Sequence, residues 1–499
     1  MKKLKKDYLI FFVIFVFSII MYINWLSMHY ASDTYNIMNV GYETYATNWS
    51  LKDGRLIMYL ITIIFAKLNL PIEIFVIGTL LVAILISCIC VIKLKNIITE
   101  NIELNIKKEI ILVLAVFFTI FNFMYIEDMY FVESVVMALS ILLLTYSADF
   151  IVNARSIGSR IKVLTLAIIA VIAYQGTIGF IIILTFTISL LKNKIELEGK
   201  KDIIKANLRR IIIDSLISAL FAFIAICLNL LIVKIIGELT GQVQTRIGTV
   251  SEIFNNLEYI LKNFNSILKD NVGLFPVNLL YTFLLISLIV SLIYDIKTKS
   301  RRFLTLKLVC IIIISIISAF IVSIGTLSSF YTGRLHYCIG SMMGFVLICL
   351  IIENKDEFFG KIFNLILIIY GIISICNCII VTYQHKKVNE YEKLEVKSLN
   401  RYIEEYEEDS NIKVQNIAIY TIRGQSNKTY FADISRKSVV TYNALRCNWS
   451  ADGLINFYTK RNLETINLNT NLLEEYIMQK NEKGYGIVNN TLIVECYMY

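Results

Sequence analysis

Acids, arginines and aromatic rings recur together at a few places in an otherwise apolar chain. The richest stretch is Ser27 to Arg55, which carries His29, Asp33, Glu43, Asp53 and Arg55 among Tyr30, Tyr35, Tyr42, Tyr45 and Trp49. A second group, Glu127, Asp128 and Glu133, falls in Y-I-E-D-M-Y-F-V-E. The run Tyr174-Gln175-Gly176 interrupts an apolar segment, Arg246 lies in a long polar loop, and Tyr331 and Arg334 lie in L-S-S-F-Y-T-G-R-L-H-Y. Carboxylates can take a proton from an attacking hydroxyl, and the planar arginine fork can hold a phosphate. Rings such as Tyr35 and Tyr331 suit the face of a sugar, although Tyr and Trp are also ordinary belt residues at a membrane interface. Any one of these charges reads most simply as a solvated or snorkelling span end. Their recurrence beside aromatics is what points to a site. The sequence contains no Ser-His-Asp arrangement, Walker loop, Rossmann fingerprint or H-E-x-x-H motif, so nucleotide-dependent chemistry has no motif to rest on.

The elements that must position these residues are membrane helices. The chain has 499 residues, of which 57% are hydrophobic and only 17% charged; soluble domains carry about 25% charged residues. Mean hydropathy is +0.66. Apolar runs of about 20 residues recur along the chain, and they are too long and too continuous for barrel strands. The expected fold is an α-helical polytopic membrane protein. Its net charge of +9 sits in short basic loops, which membrane topology explains without invoking nucleic acid. Of the ten Cys, eight lie in apolar segments (Cys88, Cys90, Cys227, Cys310, Cys338, Cys349, Cys376, Cys378) and are expected to be small buried residues. The C-x-C spacings and three His do not make a zinc framework, and Cys447 and Cys496 are the two thiols of the tail that a disulfide could join.

The positive-inside rule sets the expected orientation. Lys2 to Lys6 place the amino terminus in the cytoplasm, and the first span, 8–28, is read as an uncleaved helix that delivers the opening loop to the outer face. Further crossings are expected at 72–92, 109–126, 131–152, 211–236, 277–296, 303–324, 335–353 and 361–383. Two runs break the count. Residues 56–68 are apolar but short, and a crossing there would put the Lys93 to Lys108 loop outside; an interfacial or re-entrant helix is preferred. Residues 163–191 cannot cross once without exporting the basic loop Lys192 to Arg210. Two half-crossings around Tyr174-Gln175-Gly176 keep that loop inside, and such a break is tolerated only where it is covered or lines a cavity. The result is nine crossings with two partial insertions, and a probable surface helix within the outer loop 237–275 around 250–268.

The chain divides into a transmembrane domain, 1–384, and a small extracytoplasmic α/β domain, 385–499. The second opens with a charged helix over 386–409. It continues with the β-like run Val414 to Tyr420, the run Leu454 to Tyr458, a Leu/Glu-rich helix near 470–480 and a β-like end at Thr491 to Cys496.

With these residues in place the sequence resembles the GT-C class of membrane glycosyltransferases, most closely the bacterial serotype-converting glucosyltransferase (Gtr) family. The residues that carry the resemblance are Ser32-Asp33 after the first span, W-S-L-K-D-G-R at Trp49–Arg55, Glu127-Asp128, and Ala173-Tyr-Gln-Gly176. It covers roughly residues 8–383 in layout. It implies transfer of a glucosyl or similar hexose from a polyprenyl-phosphate-linked donor to a surface glycan or lipid-linked acceptor on the outer face of the membrane. It further implies that Asp33 is the catalytic base, that Glu127 and Asp128 orient the acceptor or hold a divalent cation (Mg or Mn), that Arg55 and Arg334 bind the lipid phosphate, and that Gln175 sits at the cavity floor. Asp53, Tyr35, Arg246 and Tyr331 complete the expected substrate contacts. Such enzymes often pair two acids after the first span; here Asp33 is followed by Thr34, so Asp33 works alone or with Asp53 or Glu43. The competing readings are a lipid-linked saccharide flippase or transporter, for which no inverted repeat is visible, and a surface polysaccharide polymerase.

Overall fold

The structure is a computed structural model that describes residues 2–100, 104–154, 156–193, 201–241, 250–298, 303–324, 332–422 and 439–497. Long apolar helices dominate it. They are α1 (Lys2–Met21), α5 (Ile72–Thr99), α6 (Ile106–Ile120), α8 (Ser134–Asn153), α9 (Ile157–Ala173), α10 (Phe180–Lys192), α11 (Lys201–Thr240), α13 (Leu279–Lys297), α14 (Leu304–Ile324), α15 (Tyr337–Glu353) and α16 (Glu357–Ser410). Between them lie the shorter α2 (Ser32–Val40), α3 (Tyr42–Tyr45), α4 (Leu56–Lys67), α7 (Tyr125–Tyr130) and α12 (Val250–Asp270). Among the described residues, seven helices are long and apolar enough to cross a membrane.

The long helices run back and forth between two ends of one bundle. At one end lysines meet acids across helices: Lys95 with Asp7 and Lys93 with Asp149, each at 2.5 Å, Lys307 with Glu353 at 2.8 Å, and Lys6 with Glu109. Lys95 and Lys307 are buried, and an unpaired buried ammonium would be costly, so each brings its own carboxylate. The opposite end collects the turns that carry Asp33, Arg55, Glu127, Tyr174 and Arg334. One apolar core spans the bundle, from Ile14 on α1 to Val381 on α16.

Two segments differ from the sequence reading, and a third, α4, agrees with its expected failure to cross. The run 163–191 is two helices, α9 and α10, joined at Tyr174–Gly179, and Gln175–Lys192 is itself long and apolar enough to cross. The polar break is where it was expected, but each arm exceeds a half-crossing. The 12 residues of α4 span only about 18 Å at 1.5 Å per residue, short of a bilayer core. The expected boundary at 384/385 falls inside α16, a single helix of 54 residues. Its first half is apolar; its second half continues without a linker and forms the base of the carboxy-terminal part. Cys227 and Cys376 are also exposed, not buried, and Cys447 and Cys496 are buried and not joined in a disulfide.

The carboxy-terminal part contains β1 (Asn416–Ile422), α17 (Ala451–Thr459), β2 (Glu464–Ile466), α18 (Thr470–Gln479), β3 (Tyr485–Val488) and β4 (Thr491–Tyr497). The sheet order is β2-β1-β4-β3, with β1 parallel to β2 and β4, and β3 antiparallel to β4. Side chains alternate across it: Ile417, Leu492 and Val494 face α16 and α17, whereas Ala418 and Ile493 face Tyr476 of α18. The run Leu454–Tyr458 is helical. This part also folds onto α2. Tyr35 is wholly buried in the core with Val396, Leu399 and Leu454, and Asn39 Nδ2 donates to Asp452 Oδ2 at 2.8 Å.

Candidate functional site

The turn after α1 is fixed from α16. Asn389 accepts the Tyr30 N–H at 3.0 Å and donates to the Tyr30 carbonyl at 2.9 Å, and His385 Nε2 lies 3.1 Å from that carbonyl. The chain then starts α2, with Asp33 in its first turn. Thr34 is buried, and its hydroxyl accepts the Ala31 N–H at 3.2 Å. A second acid at this position would point into the core instead of the site, so Asp33 has no adjacent carboxylate partner in sequence for a structural reason. Asp33 is half-buried and within electrostatic reach of Arg334 and Tyr130.

The next turn, Asp53-Gly54-Arg55, follows a π-helical stretch at Ala46–Leu51, a local form frequent at functional sites. Gly54 has φ +73°, and a Cβ there would sit 2.4 Å from Val233 Cγ2 on α11. Only glycine makes this turn against that helix. Arg55 Nη1 lies 2.7 Å from Glu133 Oε1, Nη2 lies 3.6 Å from Asp53 Oδ2, and the guanidinium carbon lies 5.3 Å from the Tyr174 ring centre. Gln175 Nε2 donates to the Asp53 carbonyl at 2.6 Å, so Gln175 braces the turn from the α9–α10 break.

Asn122 places the acidic helix α7. Its side-chain oxygen accepts the N–H groups of Met124 and Tyr125 at 3.0 and 3.2 Å. It packs so closely on Gly340 of α15 that a Cβ there would lie 1.9 Å away. Glu127 and Asp128 are both fully buried. Glu127 Oε2 accepts the Gly333 N–H at 2.8 Å, and Oε1 lies 3.7 Å from Arg334 Nε, a charge contact longer than a hydrogen bond. Among the described residues Asp128 has a hydrogen-bond partner on neither oxygen. Burial pushes both carboxyls above their ordinary range, Asp128 further because Glu127 stands beside it and Glu127 less because Arg334 and Gly333 support its charge. Arg334 stacks 4.2 Å from the Phe131 ring centre.

Tyr174 lies at the middle of this assembly, within electrostatic reach of Arg334, Asp128, Arg55 and Glu133. From the carboxy-terminal part, Tyr442 comes within reach of Glu127. The structure thus brings together Asp33, Asp53, Arg55, Glu127, Asp128, Gln175 and Arg334 from turns far apart in sequence. It does not bring Tyr35 there: its ring is packed in the carboxy-terminal core and its hydroxyl lies 3.3 Å from that of Tyr458, leaving no face for a sugar. Arg246 and Tyr331 lie outside the described residues. Glu133, Tyr174 and Tyr442 join the site without having been selected as site residues. For Glu133 and Tyr174 the signal was their place in the E-D-M-Y-F-V-E turn and the Y-Q-G break; for Tyr442 there was none.

Among the described residues no group of three or more His, Cys, Asp or Glu side chains is placed to hold a metal ion. What the arrangement offers is a cationic fork in Arg334, a half-buried carboxylate in Asp33, a buried acid in Asp128 whose burial favours the protonated form, and a tyrosine between them. The class of protein that this fold defines is a helical, multi-pass membrane protein with a clustered polar site at one end of its bundle. No family model matches the chain, and no curated protein is significantly similar to it.

Proposed function

We propose that this protein is a membrane glycosyltransferase that moves a hexose from a polyprenyl-phosphate-linked donor to a surface glycan or lipid-linked acceptor. The observation that carries the reading is the meeting of Arg55 and Arg334 with Asp33, Asp53, Glu127, Asp128 and Glu133 around Tyr174. A lipid phosphate leaving as an anion needs a cation where charge develops, and an acceptor hydroxyl needs a base. Arg334 suits the first task better than Arg55, because its contact with Glu127 is loose at 3.7 Å whereas Arg55 is tied to Glu133 at 2.7 Å. Asp33 suits the second, being the half-buried carboxylate of the cluster beside Arg334. In the transfer step the acceptor oxygen bonds to the anomeric carbon. The bond from that carbon to the phosphate oxygen breaks, the phosphate keeps the electron pair, and the acceptor proton passes to Asp33. Asp128, whose burial favours its protonated form, is placed to donate a hydrogen bond to a sugar or phosphate oxygen. The lysine-rich end of the bundle is cytoplasmic in this reading, so the site and the carboxy-terminal part face outward.

The test is glycan analysis of the cell surface in wild type, a deletion strain, and the deletion strain carrying Asp33→Asn at normal membrane abundance. Both altered strains are expected to lose one sugar substituent with polymer length unchanged. Loss of the whole polymer, or accumulation of its lipid-linked precursor, would transfer the case to a polymerase or flippase. Normal glycan from the Asp33→Asn strain would remove Asp33 as the base.

A further inference from the structure

α12, 21 residues long, packs on the bundle along a strip of its surface. Asn256 Nδ2 donates to the Ile324 carbonyl at the end of α14 at 3.2 Å, and Ile260, Ile267 and Leu268 are buried. Phe254, Leu257 and Leu261 follow one another at helical spacing beside that strip and are left bare, with Phe254 and Leu261 each 69% exposed. The far side of the helix is polar, with Asn255 and Lys262 exposed, and Glu258, 2.6 Å from Lys262, lies at the edge between that side and the bare stripe. An apolar arc that the protein covers only in part, with exposed charges at its edge and beyond, is the pattern of a helix lying in a membrane interface. The helices beneath it continue the bare apolar surface: α13 exposes Leu285 and Ile289, and α14 exposes Ile313 and Ile317, in segments apolar and long enough to cross a bilayer.

We infer that α12 lies flat on the leaflet at the site end of the bundle, with Phe254, Leu257 and Leu261 inserted among the upper acyl chains of its lipids. The helix ends in a tight turn, and the chain beyond it reaches the site. Val272 adopts a left-handed conformation with φ 54°. Asn377 Nδ2 then holds the Leu274 carbonyl at 2.7 Å, and a Cβ on Gly333 would lie 2.4 Å from Leu274 Cδ1. Gly333 is the residue whose N–H holds Glu127. The membrane plane marked by α12 is therefore linked by one rigid turn to the acidic helix, which sets the site at the depth of the lipid headgroups. This placement does not depend on the reaction proposed above.

The experiment uses the full chain in phosphatidylcholine proteoliposomes. Phe254→Trp, Leu261→Trp and, on the polar face, Asn255→Trp are compared with the parent protein, whose native tryptophans give the background. With lipids brominated high on the acyl chains, the added fluorescence of the first two variants is expected to be lost. That of Asn255→Trp is expected to persist and to be quenched by iodide in the water. Quenching of the Phe254→Trp and Leu261→Trp signals by iodide and not by bromolipid overturns the inference, and so does quenching by neither, which would mean a protein covers the stripe. The unmodified protein gives an independent reading. A phospholipid with a photoactivatable group high on its chain should label the peptide containing Phe254, Leu257 and Leu261, and absence of adducts there also overturns it.

Discussion

Asp128 is a carboxylic acid with no hydrogen-bond partner among the described residues, sealed beside a second acid. Its ordinary value is 3.8, and in the fold burial and Glu127 hold it well above that. The folded state therefore keeps a proton that the unfolded chain releases. Its stabilising contribution is complete below the unfolded value and is lost as pH rises through the folded one. Asp128→Asn has no proton to lose, so its Tm in detergent should fall less than that of the parent as pH is raised from about 4 toward neutrality. Glu127, raised in the same direction, leaves some of the fall in place. An equally steep decline in both proteins would mean that Asp128 is ionised in the fold. Arg334 acts by charge and by its fork. Arg334→Gln is expected to reduce transfer by about 10²-fold or more, and Arg334→Lys to recover only part of it, because the ammonium lacks the bidentate geometry. Initial rates with a lipid-linked donor measure both.

The elements that hold these side chains are turns pressed against neighbouring helices. The Asp53-Gly54-Arg55 turn needs a positive φ and leaves no room for a methyl group beside Val233. Gly54→Ala should destabilise the protein by about 1–3 kcal/mol and lower activity through Arg55 and Asp53. Adding Val233→Ala removes the clash but not the backbone strain, so the double variant should recover part of the lost stability and not all of it. Additive losses in thermal denaturation would show that the two residues do not meet.

On the scale of the whole molecule, the carboxy-terminal part is joined to the bundle through the unbroken α16, through α2, and through Val440 and Tyr442 beside the acidic helix. Asn389 is the joint that fixes the backbone just ahead of Asp33. Asn389→Ala leaves the buried Tyr30 N–H without its acceptor, a loss of about 1–3 kcal/mol, and lets the start of α2 drift. Activity should fall with helical content unchanged by circular dichroism. Full activity in that variant would mean that Asp33 is positioned without α16.

The sequence by itself determined that the chain is helical and apolar, where its long spans lie, and which turns hold acids and arginines. Composition and the 20-residue apolar run are local properties, and they need no partner to be read. It also showed that 163–191 is broken at Tyr174-Gln175-Gly176, because a polar, glycine-flanked step interrupts the run. Only the tertiary structure decided which of those polar residues meet. Asp33, Arg55, Glu127, Tyr174 and Arg334 come from turns separated by tens to hundreds of residues, and their approach follows from how the helices pack. The same packing took Tyr35 out of the site and into a core built by residues 396–494. It also gave Thr34 the task of holding the Ala31 N–H, and it made a single helix of a stretch whose change from apolar to charged had suggested a boundary. Burial and partnership are relations between distant residues, and the fold alone specifies them.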